Sequence, residues 1–251
     1  MKTAIITGAS SGLGKEMARK ITSTFLDIEE IWLIARREEL LRALSEELPQ
    51  KCVVLPIDVS SGGGIARYQK TLADRQPDVR LLINNAGYGM LGDFDKSDMS
   101  EQLGMIDVNV RASTALARLT LDYMNEGARI INISSIASFV PNARMAVYSA
   151  TKYYVYAWSR ALGMELRPRG ISVTAVCPGP MSTQFMAVGK IDGRSKTFRL
   201  LPRVKTERVA QGALKAAQRR RPVYTPGGFY KFYRILSALI PDTIMLWFAR
   251  T

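Results

Sequence analysis

The sequence predicts an α/β protein built on a doubly wound, mostly parallel sheet with helices on both faces. Three observations predict it. Short apolar runs recur without alternation, the pattern of strands buried on both sides. Segments of helical length fill the gaps between those runs, and a βαβα order implies right-handed crossovers. The first run leads directly into a glycine-rich turn. At 251 residues the chain suits one α/β domain.

The elements follow in order. Thr3–Thr7 is β-rich, and Gly14 to about Phe25 reads as a helix. Ile31–Ile34 is a second strand, followed by a helix over Glu38–Leu48. Val53–Ile57 is the third strand, and Ser60–Asp74 a helix whose start is weakened by Gly62, Gly63 and Gly64. Leu81–Ile83, Arg129–Ile133 and Ile171–Val176 continue the strands, with Val223–Thr225 as a short seventh. Long helices are expected over Ser97–Asn125 and Ala146–Leu166. There is no internal repeat and no linker. A single domain over 1–251 is expected, ending in an amphipathic helical extension from about residue 226.

Composition narrows the chemistry. The chain has no histidine, which removes a Ser-His-Asp triad, a Cys-His pair and any His-ligated metal. Its two cysteines, Cys52 and Cys177, sit in apolar runs and read as reduced, buried thiols. No metal site is expected. The N-terminus lacks the apolar stretch and cleavage site of a signal peptide, and no run approaches the ~20 apolar residues of a spanning helix. A cytoplasmic protein is expected, with peripheral membrane contact left open.

The net charge of +13 is unevenly placed. From Lys190 to Thr251 there are 14 Lys/Arg against 3 Asp/Glu, whereas the preceding 189 residues carry 21 against 19. The local excess points to an anionic substrate group or membrane surface rather than to nucleic acid.

Four motifs carry chemistry. Gly8-Ala9-Ser10-Ser11-Gly12-Leu13-Gly14, between strand one and helix one, would let a pyrophosphate approach the backbone and a helix N-terminus. Asn84-Asn85-Ala86-Gly87 ends the fourth strand with small residues against which a cofactor could lie. Tyr148 and Lys152 are four apart on a helix and so share a face. An ammonium there would lower the phenol pKa from about 10 and make an acid/base pair. Ser134-Ser135 follows the fifth strand, where a hydroxyl could meet the same carbonyl oxygen as Tyr148.

In this order and spacing the motifs resemble those of the short-chain dehydrogenases/reductases, over about residues 1–225. The resemblance implies a Rossmann-type fold and a nicotinamide cofactor. It places a catalytic tetrad on Asn109, Ser135, Tyr148 and Lys152. It matches the family's glycine loop with Thr7, Gly8, Gly12 and Gly14, and its N-N-A-G element with Asn84 to Gly87. Asp58 with Val59 falls at the adenine position. Pro178, Gly179 and Thr183 would hold the nicotinamide amide. It further implies that Lys152 binds the nicotinamide ribose, that Asn109 orders a water, and that the protein forms a homodimer or homotetramer.

Cofactor choice is read after the second strand. A carboxylate there selects NAD, and an arginine favours NADP. This chain has Arg36 and Arg37 and no acid at the strand end, so NADP(H) is expected, with Arg36 the better partner for the 2′-phosphate.

Three segments should line a substrate pocket: Tyr88, Met90 and Leu91; Phe139, Val140 and Met145; Met181, Phe185 and Met186. Their large apolar side chains suit a lipophilic ketone or acyl chain. A hydroxysteroid or bile acid, a 3-oxoacyl thioester and a sphingoid-type ketone are all candidates. Farther on, Phe229, Phe232, Tyr233, Leu236, Leu239 and Ile240 form an apolar helical stripe ended by Pro241. Packing on the domain, a dimer contact, a pocket lid and a membrane-surface helix all fit that pattern. The activity expected is interconversion of a ketone and a secondary alcohol; the alternative is a non-catalytic, cofactor-sensing protein on the same fold.

Overall fold

The computed structural model describes residues 1–183, 201–241 and 243–245. Seven strands form one wholly parallel sheet: β1 (Lys2–Thr7), β2 (Glu30–Ala35), β3 (Lys51–Pro56), β4 (Asp78–Asn84), β5 (Arg129–Ile133), β6 (Ser172–Val176) and β7 (Val223–Tyr224). Their spatial order is β3-β2-β1-β4-β5-β6-β7. The chain starts in the middle, winds outward to β3, then crosses back past β1 to build the other half. That reversal puts a switch point beside β1, where a crevice opens at the carboxyl ends of the strands.

The unalternated apolar runs have their reason in the packing. Ala4 and Ile6 of β1 join Ile31, Leu33, Leu81 and Ile83 under α1 (Gly12–Thr24) and α2 (Glu38–Glu47). Ile5 points the other way, with Trp32, Ile34, Leu82 and Ile130, under α3 (Gly62–Arg75) and the helices that follow β4 and β5. Both faces of each central strand are therefore buried. Trp32 is fully enclosed, and its indole donates to the Glu30 carboxylate at 2.7 Å. Lys51 and Arg75 reach the other oxygen of that buried acid at 3.6 and 3.7 Å.

The segment read as one helix over Ser97–Asn125 is divided. α4 (Met99–Ile106) passes into a π-helical turn over Asp107–Ala112, then into α5 (Ser113–Thr120) and a short 3₁₀ turn over Leu121–Tyr123. Asp98 caps the start, accepting from the Ser100 and Glu101 amides. The π turn is held from outside the helix, since the Asn109 side chain bonds both backbone polar groups of Tyr88. α6 runs over Ala146–Glu165.

One helix is absent from the sequence reading: α7 (Thr206–Gln218) packs against α1 and buries Val209, Ala210, Ala213, Leu214 and Ala217. A further helix, α8, runs over Gly228–Leu239. Among the described residues no helix is long and apolar enough to cross a membrane.

Candidate active site

One cavity of about 800 Å³ opens along the carboxyl ends of the strands. Its lining begins at Gly8, just after Thr7, the last residue of β1. The Thr7 hydroxyl accepts from the backbone amides of Asn85 and Ala86, each at 2.9 Å. The Asn85 side chain donates to the carbonyls of Thr7 (2.9 Å) and Gly8 (3.3 Å). The glycine loop and the end of β4 are thus pinned together, and Asn85 braces the loop while lining the cavity.

Gly8 and Gly12 hold φ of +67° and +55°, the left-handed region that glycine adopts without strain. A Cβ on Gly8 would stand 2.7 Å from the Asn85 amide nitrogen, and one on Gly14 would strike the Gly8 carbonyl. Leu13 and Gly14 are buried in the first turn of α1. The Ser10 and Ser11 hydroxyls each accept from the Arg37 guanidinium at 3.0 Å. Thr183 stands over the loop, within 3.5 Å of where a Gly12 Cβ would lie.

Arg36 also lines this half of the cavity, with Asp58, Val59, Ala86 and Gly87. Burial opposes ionisation of Asp58. Two hydrogen bonds from Ser60 (2.9 Å from its amide, 2.6 Å from its hydroxyl) and the field of Arg36 outweigh that, so its pKa is lowered. The donor set fits a dinucleotide: a glycine turn opening a helix, with two arginines and a carboxylate farther along the same half.

Of the four tetrad positions, Tyr148 and Lys152 line the middle of the cavity, with Ser135 beside Tyr148 and Asn109 beside Lys152 behind the lining. Ser135 ends the β5 run and caps a 3₁₀ turn by accepting from the Ala137 amide at 3.1 Å. It shares a hydrogen bond with Tyr148, the third residue of α6. One turn on, the Lys152 ammonium donates to the Ile133 carbonyl at 3.0 Å and lies 5.8 Å from the Tyr148 ring centre. Asn109 is 2% exposed. Its amide oxygen accepts from the Tyr88 amide at 3.1 Å, and its nitrogen donates to the Tyr88 carbonyl (2.9 Å) and the Thr151 hydroxyl (3.0 Å). Those bonds fix its side chain, which ties the π turn to the Tyr88 loop.

The electrostatics differ from the expectation. Burial pushes the Tyr148 phenol up to about 12, against the lowering effect of Ser135. Burial also draws Lys152 down to about 8. Loss of water outweighs the mutual stabilisation the spacing suggests, because the ammonium is directed at Ile133 rather than at the phenol oxygen. At neutral pH the arrangement holds a neutral, proton-bearing Tyr148. Cys177, beside the Ser134 and Ser138 hydroxyls, is pushed up to about 12 by burial and stays a thiol.

The other half of the cavity is apolar. Tyr88, Met145 and Met181 line it as expected, with Ile136, Pro180 and Leu201. Met90 and Leu91 instead pack behind Tyr148 with Met105. Phe139 and Val140 pack against Tyr233, Ile240 and Met245. Phe185 and Met186 lie outside the described residues. Sequence reasoning missed Asn142, Tyr230 and Tyr233 as lining residues. Tyr230 is buried, its hydroxyl donating to the Pro202 carbonyl at 2.6 Å. Its ring covers Gly179 so closely that a Cβ there would collide with it. Pro178 and Gly179 carry the cavity from one half to the other.

Comparison with known proteins agrees with this geometry. Residues 2–191 match the short chain dehydrogenase family model. A ketoacyl reductase of Nostoc sp. is 30% identical over 224 residues, spanning 87% of this chain and 76% of that protein. A short-chain dehydrogenase from Sphingobium yanoikuyae, solved with NADPH, superposes with a TM-score of 0.81 at 27% identity, covering 98% of this chain and 95% of the other. A reductase of the same family from Burkholderia phymatum, solved with NAD, gives 0.78 at 25% identity, with coverage of 93% and 92%. The relatives bind nicotinamide cofactors of both kinds, and this chain, with its glycine loop, its parallel seven-stranded sheet and its Ser135–Tyr148–Lys152 cluster, belongs to the short-chain dehydrogenase family and is an oxidoreductase.

Proposed function

We propose that the protein interconverts a lipophilic ketone and its secondary alcohol with NADP(H). The observation that carries this reading is Tyr148, hydrogen-bonded to Ser135 and lining the cavity between a polar, arginine-ended half and an apolar half. Bound nicotinamide supplies hydride exchange with the carbonyl carbon. Ser135 holds the carbonyl oxygen by a hydrogen bond, and Tyr148 passes its proton to that oxygen as negative charge develops. Lys152, charged below its pKa of about 8, binds the ribose and replenishes positive charge beside the phenolate. Asn109 fixes the Tyr88 loop that faces them.

NADP preference rests on Arg36 and Arg37 and on the lack of an acid at the end of β2. Arg37 reaches Ser10 and Ser11, so the two arginines flank one anion site. The ketoacyl reductase among the relatives supports 3-oxoacyl thioesters beside steroid-like and sphingoid ketones as candidates. The reaction would run in the cytoplasm. Exposed Leu103 and Ile106 on α4 and Tyr153 and Tyr154 on α6 would be covered in a homo-oligomer.

A panel of these ketones, followed by NADPH oxidation, tests the reading. Turnover of an apolar ketone with NADPH preferred over NADH is expected. Binding of NADPH without turnover of any of them would favour the cofactor-sensing alternative.

A further inference from the structure

α8 has two apolar faces, and among the described residues only one has a partner. The sequence suggests a single stripe, but the helix turns Tyr230 and Tyr233 inward over the cavity. Phe232, Ile235 and Leu239 turn outward, Phe232 being 62% and Leu239 77% exposed. Phe229 stands at the boundary, half exposed and lining the cavity, and Ile244 extends the outer row past the helix end. At 12 residues α8 is about 18 Å long, enough to lie along a surface and too short to cross one.

The sequence that carries this face is strongly basic. Between Leu201 and Pro241 the chain has nine Lys/Arg and one acid, Glu207. Lys231 is exposed on α8 itself, and Arg203 and Lys205 are exposed on the segment that Tyr230 ties to α8 through Pro202. An apolar face bordered by cations is the pattern of a helix lying in the interface of an anionic bilayer. A second copy of this chain is a poorer occupant, because a two-fold contact through α8 would bring the cations of both copies, Lys231, Arg203 and Lys205, to one interface.

We propose that the outer face of α8 docks on an anionic lipid surface, with Phe232, Ile235 and Leu239 among the acyl chains and Lys231, Arg203 and Lys205 at the headgroups. The cavity mouth, lined by Phe229, Tyr230 and Tyr233, then opens next to the membrane. A lipophilic substrate can pass into it without crossing water. The docking itself does not depend on the reaction proposed above; the route of the substrate does.

Sedimentation of the full chain with vesicles tests it, using phosphatidylcholine alone or mixed with phosphatidylglycerol. The intact protein is expected to pellet with the mixed vesicles and to be released by salt. The triple variant Phe232→Ser, Ile235→Ser, Leu239→Ser should lose that binding by roughly a thousandfold, since burial of each such side chain is worth about one tenfold factor. Its melting curve, mass in solution and turnover of a water-soluble ketone should be unchanged. Lys231→Glu, which keeps the apolar row, should weaken binding to the mixed vesicles selectively. Failure of the intact protein to pellet with mixed vesicles would overturn the proposal, as would equal binding to both vesicle types. A change in oligomeric mass in the triple variant, without vesicle binding by the parent, would assign the face to a second copy.

Discussion

The two halves of the cavity are built from different materials. The half between the glycine loop and Asp58 is made of backbone, glycine, short polar side chains and two arginines, at positions fixed by the ends of β1 to β4. The half beneath α8 is made of large apolar side chains from segments far apart in sequence, among them Met145, Met181, Tyr230 and Tyr233. A ligand shared across many proteins can be recognised by main-chain shape, whereas a ligand particular to one protein is recognised by side chains. Substitutions that act on one half and spare the other are the direct check of this division.

Tyr148 stands where the halves meet, and its loss should have the largest effect. Tyr148→Phe removes the proton and keeps the ring, so turnover should fall by roughly 10²–10⁴-fold. NADPH binding, measured by nucleotide fluorescence, should be retained. Near-normal turnover in the folded variant would remove Tyr148 from the reaction.

Arg36→Ala should touch the polar half alone. Loss of charged hydrogen bonds to a phosphate, at about 1.5–3 kcal/mol, should lower the NADPH/NADH ratio of kcat/KM by roughly ten- to a hundredfold and leave the ketone KM unchanged. An unaltered ratio would pass the role to Arg37, whose guanidinium already bonds Ser10 and Ser11.

Lys152→Met separates activity from stability. The folded pKa of Lys152 lies at about 8, below the ~10.4 of an unfolded lysine. The folded state therefore binds fewer protons between those values, and stability contributed by this site rises with pH across that window. Below pH 8 the buried charge costs on the order of 1–3 kcal/mol. The methionine variant should melt higher by roughly 2–4 °C per kcal/mol at neutral pH, an advantage that fades toward pH 10, while turnover is lost. A lower melting temperature at pH 7 would mean that the bond to Ile133 outweighs the burial.

The smallest effect is expected in the apolar half. Tyr230→Phe removes the hydrogen bond to Pro202, worth about 1 kcal/mol. The ketone KM should rise severalfold with NADPH affinity intact. An equal loss for both ligands would join the two halves into one unit.

The same division explains what the sequence discloses. Strand runs such as Ile31–Ile34 are legible because burial on both sides leaves no polar position, and the observed β2 adds one residue at each end. The glycine loop and the Tyr148–Lys152 spacing are legible because a turn and a helix fix their geometry locally. α7 escaped notice because its buried face is largely alanine, a residue that marks helix propensity more than a hydrophobic stripe. The break at Asn109 is set by hydrogen bonds to Tyr88, 21 residues away in sequence, which no window of helical periodicity contains. The direction of the Tyr148 pKa shift was hidden for a related reason: spacing gives the neighbour, but only the packed fold gives the dehydration.

Thr7 carries one last consequence. Its single hydroxyl accepts from two successive amides just past the end of β4, and Asn85 returns two bonds to the loop that Thr7 begins. Four links join segments 78 residues apart, so neither segment can loosen without the other. The glycine turn and the Asn85–Gly87 edge therefore belong to one cooperative unit of local unfolding. Release of either would expose the amides of both, and a ligand held by the turn protects the far edge without touching it.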